Sequence, residues 1–432
     1  MDALEQATLA KVTRRLLPFL ILCYFVAYLD RVNVSFAALT MNQDIGLSAT
    51  AYGLGSGIFF LAYFVFEVPS NLLLNRFGAR RWIARIMLTW GLLSAAMAFI
   101  GGETGFYVVR VLLGAAEAGF FPGIIFFLTL WYPAGYRARI VGYFMVAIPL
   151  STVIGAPLSG EFLGLDGFLG FRGWQWMFLI EAAPALLLSA VVLFYLTDRP
   201  EEAHWLSAEE RSWLVGRLAR ERVRREAVGP HRVLDALLMP RVMALSLVHF
   251  GCISSIYGLG FFLPQIVKAF GLGNAVTGWV VMLPYLVGAV SIVLWGRRSD
   301  RLHERRFHVA FPLFVAAAGL AASTLTDDPV LKMAVFSVAG FGIFGCLSVF
   351  WTLPTAFLSG AAAAGGIAII SSIGSLAGFV SPLAMGWLKD QTGSYTIGLL
   401  CLGAVAFLAM AVAIAIGHDH ALEATPMPDP AE

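Results

Sequence analysis

The chain has 432 residues, of which 59% are hydrophobic and 13% are charged, and its formal net charge is +2. The charged share is about half of that in soluble proteins, so a soluble multidomain enzyme is excluded because it could not cover its surface. The composition therefore predicts a polytopic membrane protein, and the near-neutral charge gives no indication of nucleic acid as a partner.

Apolar runs long enough to cross a hydrocarbon core of about 30 Å recur along the whole chain. They predict an all-α fold with twelve membrane spans, six in each half. The predicted spans are 17–39, 51–74, 83–101, 105–131, 139–160, 175–197, 241–268, 276–295, 309–325, 330–352, 364–388 and 396–417. The first run is too long for the hydrophobic part of a signal peptide and leads into Asp30, so we predict no cleavable signal.

A charged segment at 198–240 separates the two sets of spans. It divides the chain into an N-terminal six-helix bundle at 1–197 and a C-terminal bundle with a short tail at 241–432. Within the segment, Ser207 and Glu210 fit a helix capping box. The pattern predicts an amphipathic helix that lies against the inner membrane surface.

Basic residues are concentrated on one side of the predicted spans. With a cytoplasmic N-terminus, 23 of the 29 lysines and arginines fall in cytoplasmic segments. The cations on or near the other side are Arg172, Lys268, Lys332 and Lys389. The positive-inside rule therefore predicts that both termini are cytoplasmic.

Two adjacent charges, Asp30 and Arg31, lie near the middle of the first span. A charge at that depth costs at least ~2.5–3.5 kcal/mol, so it usually has a function. Adjacent residues of a helix point about 100° apart, so the two side chains pair poorly and mutual neutralisation is the weaker interpretation. We predict that Arg31 binds an anionic substrate.

The fourth span carries a second buried pair of charges, Arg110 and Glu117. Arg31 lies ~21 Å along the first span and Glu117 ~18 Å into the fourth, so they could meet if the spans are neighbours. Arg110, Gly114 and Glu117 form one helical stripe, on which Gly114 would leave room for a side chain of another helix. The alternative is an Arg110–Glu117 ion pair that only packs the bundle.

The carboxyl groups of Asp30 and Glu117 suggest a way to couple protons to the anion. Loss of water favours the protonated form of a carboxyl group, and a nearby arginine favours the ionised form. Both groups could bind protons while Arg31 is engaged by substrate and release them when it is not.

The second half offers polar candidates but no acid inside a span. Gln265 follows Pro264, which frees a backbone carbonyl, and we predict a substrate contact there, with helix–helix hydrogen bonding as the alternative. Trp351 and Ser375 are further candidates. The four cysteines show no disulfide or metal spacing.

Two arginine-rich turns occupy the same place in each half: NLLLNRFGARR from Asn71 to Arg81 and GRRSDRLHERR from Gly296 to Arg306. They resemble the cytoplasmic loop signature of the major facilitator superfamily, Gly-x-x-x-Asp-Arg-x-Gly, with departures at Asn71, Asn75 and His303. The resemblance implies two six-helix bundles with a cavity facing spans 1, 4, 7 and 10. It also implies that a cytoplasmic gate is formed by Arg76, Gly78, Arg80, Asp300 and Arg301.

Further motifs resemble the anion:cation symporter family within that superfamily. They are YLDRVN at 28–33, EVPSN at 67–71, GAAEAGFFP at 114–122, FLPQ at 262–265 and FWTLP at 350–354. The residues of these motifs are similar to those of bacterial permeases for tartrate, phthalate, hydroxyphenylacetate and nicotinate. The resemblance implies that Asp30 and Glu117 couple protons, that Arg31 binds substrate, and that Tyr28 and Tyr63 match ligand positions. Ser375 stands where the family often has asparagine.

The expected function is proton-coupled symport of a small organic acid anion such as tartrate into a bacterial-type cell through its inner membrane. The alternative is an uncoupled facilitator or exporter of an aromatic acid or drug-like compound. An enzyme is not expected, because no metal cluster, nucleophile–base set or phosphate loop is present in the sequence. We expect a monomer whose partners are a small carboxylate, protons and lipid, with no cofactor or metal and the proton gradient as driving force.

Overall fold

A computed structural model describes residues 3–226, 239–302, 304–357 and 360–416. These residues form α-helices joined by short turns, with no β-strand among them, and the predicted all-α fold is confirmed. The helices are α1 (Ala3–Val32), α2 (Val34–Asp44), α3 (Ala49–Phe77), α4 (Ala79–Ala96), α5 (Glu103–Glu117), α6 (Phe120–Trp131), α7 (Ala134–Met145), α8 (Ala147–Phe162), α9 (Gly173–Tyr195), α10 (Ala208–Glu226), α11 (Pro240–Gly260), α12 (Leu263–Lys268), α13 (Asn274–Leu302), α14 (Arg306–Ala322), α15 (Pro329–Phe350), α16 (Thr352–Phe357), α17 (Gly360–Thr392) and α18 (Thr396–Ala415).

The helices account for the predicted membrane spans. In the described ranges, 11 helical stretches are long and apolar enough to cross a membrane. The span predicted at 309–325 corresponds to the apolar helix α14, which has 17 residues. A helix of that length extends about 25 Å, at the lower limit for a membrane span.

The chain divides into two compact units. The first comprises Met1–Val228 with Leu272–Trp279, and the second comprises Gly229–Gly271 with Val280–Glu432. In the second unit, α11 packs on α17 and α18, and α14 packs on α15 and α18. Its core is lined by aliphatic and aromatic side chains such as Val248, Leu313 and Phe350.

Helix α10 belongs to the first unit and packs on α1 and α6. Its predicted capping box is present: the Ser207 N–H donates to Glu210 at 2.7 Å and the Glu210 N–H donates to the Ser207 hydroxyl at 3.1 Å. The Ser207 N–H and the ammonium group of Lys11 lower the pKa of Glu210. Leu214 is fully buried, so part of the apolar side of α10 faces protein, and its position at the membrane surface stays a prediction.

The fourth span was predicted to be continuous, but the structure interrupts it between α5 and α6. Ala118 has φ −54° and ψ 132°, and Gly119 has φ +86°. A Cβ at Gly119 would also overlap the Ser70 side chain of α3, so a residue without Cβ is required on both counts. Glu117 is therefore the last residue of a helical segment inside the membrane.

Close packing of α5 on α3 sets the position of Glu117. A Cβ at Gly114 would overlap the carbonyl oxygen of Phe59, and one at Gly55 would overlap the Phe106 ring. Small residues let helix backbones touch in this way. Gly114 thus makes room for the backbone of α3, and not for a side chain as the sequence suggested.

Replacing Gly114 by alanine tests this contact. Because the new methyl group would overlap the Phe59 carbonyl, α3 and α5 must separate, at a cost of about 1–3 kcal/mol. We expect a lower melting temperature of the purified protein in detergent. Gly105→Ala, on the same helix, is the control, because its Cβ would lie 3.6 Å from Ile100. Equal melting temperatures for the two variants would contradict the packing described.

Candidate functional site

Arg31 and Glu117 form an ion pair inside the first unit. The guanidinium group donates to one carboxylate oxygen, and the two side chains are 9% and 2% exposed. Arg31 lies at the end of α1 and Glu117 at the end of α5, so the structure brings together the charges that were predicted to lie at similar depth. A buried pair of this kind is costly to break by removing one partner.

Four aromatic rings surround the Arg31 guanidinium group. Its carbon lies 5.7 Å from the ring centre of Tyr28, 5.4 Å from those of Phe59 and Tyr63, and 6.0 Å from that of Phe60. The four rings are buried. Aromatic faces attract a cation and keep water from it. Tyr28 and Tyr63 thus lie beside Arg31, and their role as ligands stays a prediction, whereas Phe59 and Phe60 were not singled out in the sequence.

Asp30 lies beside Arg31 in the chain but has a separate set of partners. The Trp90 indole N–H and the Ser94 hydroxyl, both on α4, donate to its carboxylate. Asn33 donates a third hydrogen bond at 2.9 Å. All four side chains are buried. Trp90 and Ser94 are four residues apart on one helical face, which is the signal that could have identified them.

Arg110 does not pair with Glu117 as the sequence suggested. It donates to the backbone carbonyl oxygens of Gly55 and Ser56, each at 3.1 Å, and in the described residues no carboxylate oxygen lies within 4.0 Å of it. Two carbonyls of α3 satisfy the guanidinium fork, so Arg110 fastens α5 to α3. Its guanidinium carbon also lies 4.8 Å from the ring centre of Phe59, so this one ring contacts both arginines.

Glu181 of α9 is a third buried acid in this unit. The Ser159 hydroxyl donates to one of its oxygens at 2.7 Å, and no donor among the described residues reaches its other oxygen. Asp30 and Asn33 lie close enough to act on this carboxyl group.

The second unit holds the remaining candidates. Gln265 lies three residues from the end of its membrane stretch, Pro240–Lys268, and accepts a hydrogen bond from the Tyr395 hydroxyl at 3.3 Å. The Trp351 ring packs on His249 with ring centres 4.9 Å apart. Ser375 follows Gly374, whose missing side chain makes room for the His249 ring.

The first arginine-rich turn is closed by a residue of the central segment. Gly78 has φ +88°, and its α-carbon lies against the Asp198 carboxylate, which accepts from the Arg80 N–H at 2.7 Å. Arg76 lies over the Phe77 ring. The sequence analysis did not identify Asp198 as part of this turn.

In the second turn, the Asp300 carboxylate pairs with Arg305 at 2.6 Å, and Arg301 is exposed. His303 lies outside the described residues. An arginine of the first turn is therefore held by Asp198, which lies outside that turn, whereas an arginine of the second turn is held by Asp300 of the same turn.

The Arg31 guanidinium group is the one part of the described site that is paired with a carboxylate. A substrate carboxylate could replace Glu117 at Arg31 with two parallel hydrogen bonds, in the geometry that guanidinium groups favour. In the part of the chain that the structure describes, no cluster of three or more His, Cys, Asp or Glu residues could hold a metal ion.

Comparisons with known proteins show the family and the fold of the chain. Residues 20–382 match the Major Facilitator Superfamily. A protein of Agrobacterium vitis named "Putative tartrate transporter" is 53% identical over 396 residues, covering 92% of this chain and 88% of the relative. A quinolone resistance transporter of Acinetobacter baumannii is 43% identical over 402 residues, covering 93% of each chain. A D-xylose–proton symporter structure has the same fold, with a TM-score of 0.72, 16% identity and coverage of 94% and 97%.

Proposed function

The chain belongs to the Major Facilitator Superfamily and is a multi-pass membrane transporter rather than an enzyme, and on that premise we propose that it imports a small organic acid anion together with protons. The observation that carries the proposal is the buried Arg31–Glu117 ion pair. A tartrate-like carboxylate is the substrate class we favour, because the tartrate-named relative is 53% identical over most of both chains.

Competition for Arg31 provides the coupling. When an acid anion takes the guanidinium group, Glu117 loses the cation that stabilises its charge in a site shielded from water. Its carboxyl group then favours the protonated form. Binding of the anion and binding of a proton to Glu117 therefore assist each other, which is thermodynamic coupling without covalent chemistry.

Asp30 has a different part in this scheme. Its carboxylate is held by three neutral donors from Trp90, Ser94 and Asn33, so its partners do not change when an anion reaches Arg31. We propose that the substrate acts directly on Glu117 by taking its ion-pair partner. It acts on Asp30 only indirectly, through the change in the electrostatic field around the ion pair.

The hydrogen-bond partners of Arg110 affect how many carboxylates of a substrate could bind to arginine. Because its guanidinium fork is taken by the carbonyls of Gly55 and Ser56, it does not offer a second bidentate grip. One carboxylate of the substrate binds Arg31, and a second carboxylate or a hydroxyl group needs neutral donors. We propose Tyr28 and Tyr63 for that role in the first unit, and Gln265, Trp351 and Ser375 as the ligands that the second unit supplies.

Orientation and assembly follow from the charge pattern. We propose that both termini are cytoplasmic, that the membrane is a bacterial inner membrane, and that the protein acts as a monomer driven by the proton gradient. Arg76, Gly78, Arg80, Asp300 and Arg301 then lie in cytoplasmic turns and form the gate. The Asp198 contacts to Gly78 and Arg80 would hold the first of these turns.

Export of an aromatic acid or drug-like compound is the second candidate function. It is favoured by the quinolone resistance relative, which is 43% identical, and by the four rings around Arg31. An uncoupled carrier would only equilibrate its substrate across the membrane. Failure of the wild-type protein to concentrate any acid under an imposed pH gradient would favour this candidate.

Replacing Arg31 by lysine tests the substrate ligand. The ammonium group keeps the charge but loses the planar fork, so we expect acid uptake into proteoliposomes to fall by about tenfold or more. Arg172→Lys is the control, because the side chain of Arg172 is 61% exposed. This variant should take up the acid at the wild-type rate. Binding of the acid at wild-type strength by Arg31→Ala would remove Arg31 from the site.

Replacing Glu117 by glutamine tests the coupling. The variant mimics the protonated state, so it should bind the acid as tightly as the wild type or more tightly, and should still exchange it across the membrane. It should not concentrate the acid under a pH gradient. Wild-type uptake should rise as the external pH falls, because protonation of Glu117 frees Arg31, whereas uptake by the variant should be nearly constant between about pH 5 and 8.

The matched control for this variant is Glu103→Gln, on the same helix, where the carboxylate is exposed and accepts from the Tyr107 hydroxyl. It should accumulate the acid like the wild type. Full accumulation by both Glu117→Gln and Asp30→Asn would place the coupling site elsewhere and would contradict the proposed mechanism.

A further inference from the structure

A basic groove of about 610 Å³ lies in the first unit, between the beginning of α1 and the segment that joins α9 to α10. It is lined by three cations, Lys11, Arg14 and Arg15, and by the aromatic side chains of Tyr195 and Trp205. Its residues take no part in the Arg31–Glu117 site. We call it the basic groove.

The cations of the basic groove are only partly neutralised. Lys11 pairs with Glu210 at 2.9 Å. For Arg14 and Arg15, no carboxylate oxygen lies within 4.0 Å among residues 3–226 and the other described ranges. Like charges three and four residues apart on a helix repel each other. An anion in the groove would remove this repulsion.

The groove also holds two buried N–H groups for which the described residues supply no acceptor. They are Nε of Arg15 and Nε1 of Trp205. The Arg15 guanidinium carbon lies 4.9 Å from the ring centre of Tyr195 and 5.1 Å from that of Trp205. These rings fix the guanidinium group in place, and a buried donor without an acceptor is costly. Because Arg14 and Arg15 both line the groove and lack a carboxylate partner among the described residues, the fitting ligand has several anionic oxygens.

The position of the groove identifies the source of such a ligand. Arg14 and Arg15 directly precede the apolar run of α1, and Tyr195 is the last residue of the apolar helix α9. Both helices thus pass from apolar to polar sequence at the groove. This is the level at which aromatic and basic residues meet phospholipid headgroups.

We propose that the basic groove is a binding site for the phosphate of an anionic phospholipid headgroup. The phosphate oxygens accept from the guanidinium groups of Arg14 and Arg15, while Lys11 remains paired with Glu210. A bound lipid would hold α1 to the segment before α10. The inference does not depend on the identity of the transported substrate.

Native mass spectrometry of the full-length protein, released from nanodiscs, tests the site. The probe is phosphatidylglycerol mixed with phosphatidylcholine of the same acyl chains. We expect the wild type to retain one phosphatidylglycerol in preference to phosphatidylcholine. Arg14→Gln should weaken this retention by roughly fivefold and Arg14→Gln/Arg15→Gln by on the order of 25-fold, since each cation near an anionic lipid contributes about that factor.

The control is Arg139→Gln/Arg220→Gln, which removes two exposed arginines outside the groove and should retain the lipid like the wild type. Equal losses in the two double variants would show nonspecific attraction and overturn the proposal. Because Arg15 packs on two rings, the Arg14 single variant keeps the test valid if the double variant fails to fold.

A second binding experiment distinguishes a site for a lipid from a site for a soluble anion. Inorganic phosphate is added to protein in phosphatidylcholine nanodiscs. No retained phosphate at millimolar concentration is the expected result. Retention of phosphate with no preference for phosphatidylglycerol would overturn the assignment to a phospholipid.

Discussion

A buried arginine needs a counter-charge or hydrogen-bond acceptors, and the structure of the first unit depends on how these are supplied to Arg31. Glu117 supplies the counter-charge, and four aromatic rings replace the water that the guanidinium group has lost. Glu117 is the last residue of α5, and the backbone of that helix touches α3 at Gly114. The packing that the glycines at 114 and 119 allow therefore surrounds the ion pair.

The same constraint explains why the other charges are kept apart from the pair. Arg110 is satisfied by two backbone carbonyls and Asp30 by three neutral donors. Neither competes for the partner of Arg31 or Glu117. In the proposed mechanism an incoming acid anion therefore meets one ion pair that can open, beside charges that have other partners. The proposed coupling depends on this division between fixed and exchangeable partners.

The sequence predicted the helical fold, the spans and the depth of Arg31 and Glu117, because hydropathy and helix rise depend only on local order along the chain. It did not predict the break at Gly119, the carbonyl partners of Arg110 or the donors to Asp30. Each of these depends on which span lies against which, and a residue pattern within one span does not contain that information. For the same reason the contacts of α10 with α1 and α6 were not predicted. The ligand roles of Gln265, Trp351 and Ser375 stay predictions.

The central claim is that an acid anion displaces Glu117 from Arg31 and that Glu117 then takes up a proton. Calorimetric titration of the purified protein with the transported acid, in buffers of different ionisation enthalpy at one pH near 7, measures the protons taken up on binding. We expect net proton uptake by the wild type and by Glu103→Gln, and its loss in Glu117→Gln. Acid binding without proton uptake, or equal uptake in Glu117→Gln, would contradict the displacement of Glu117.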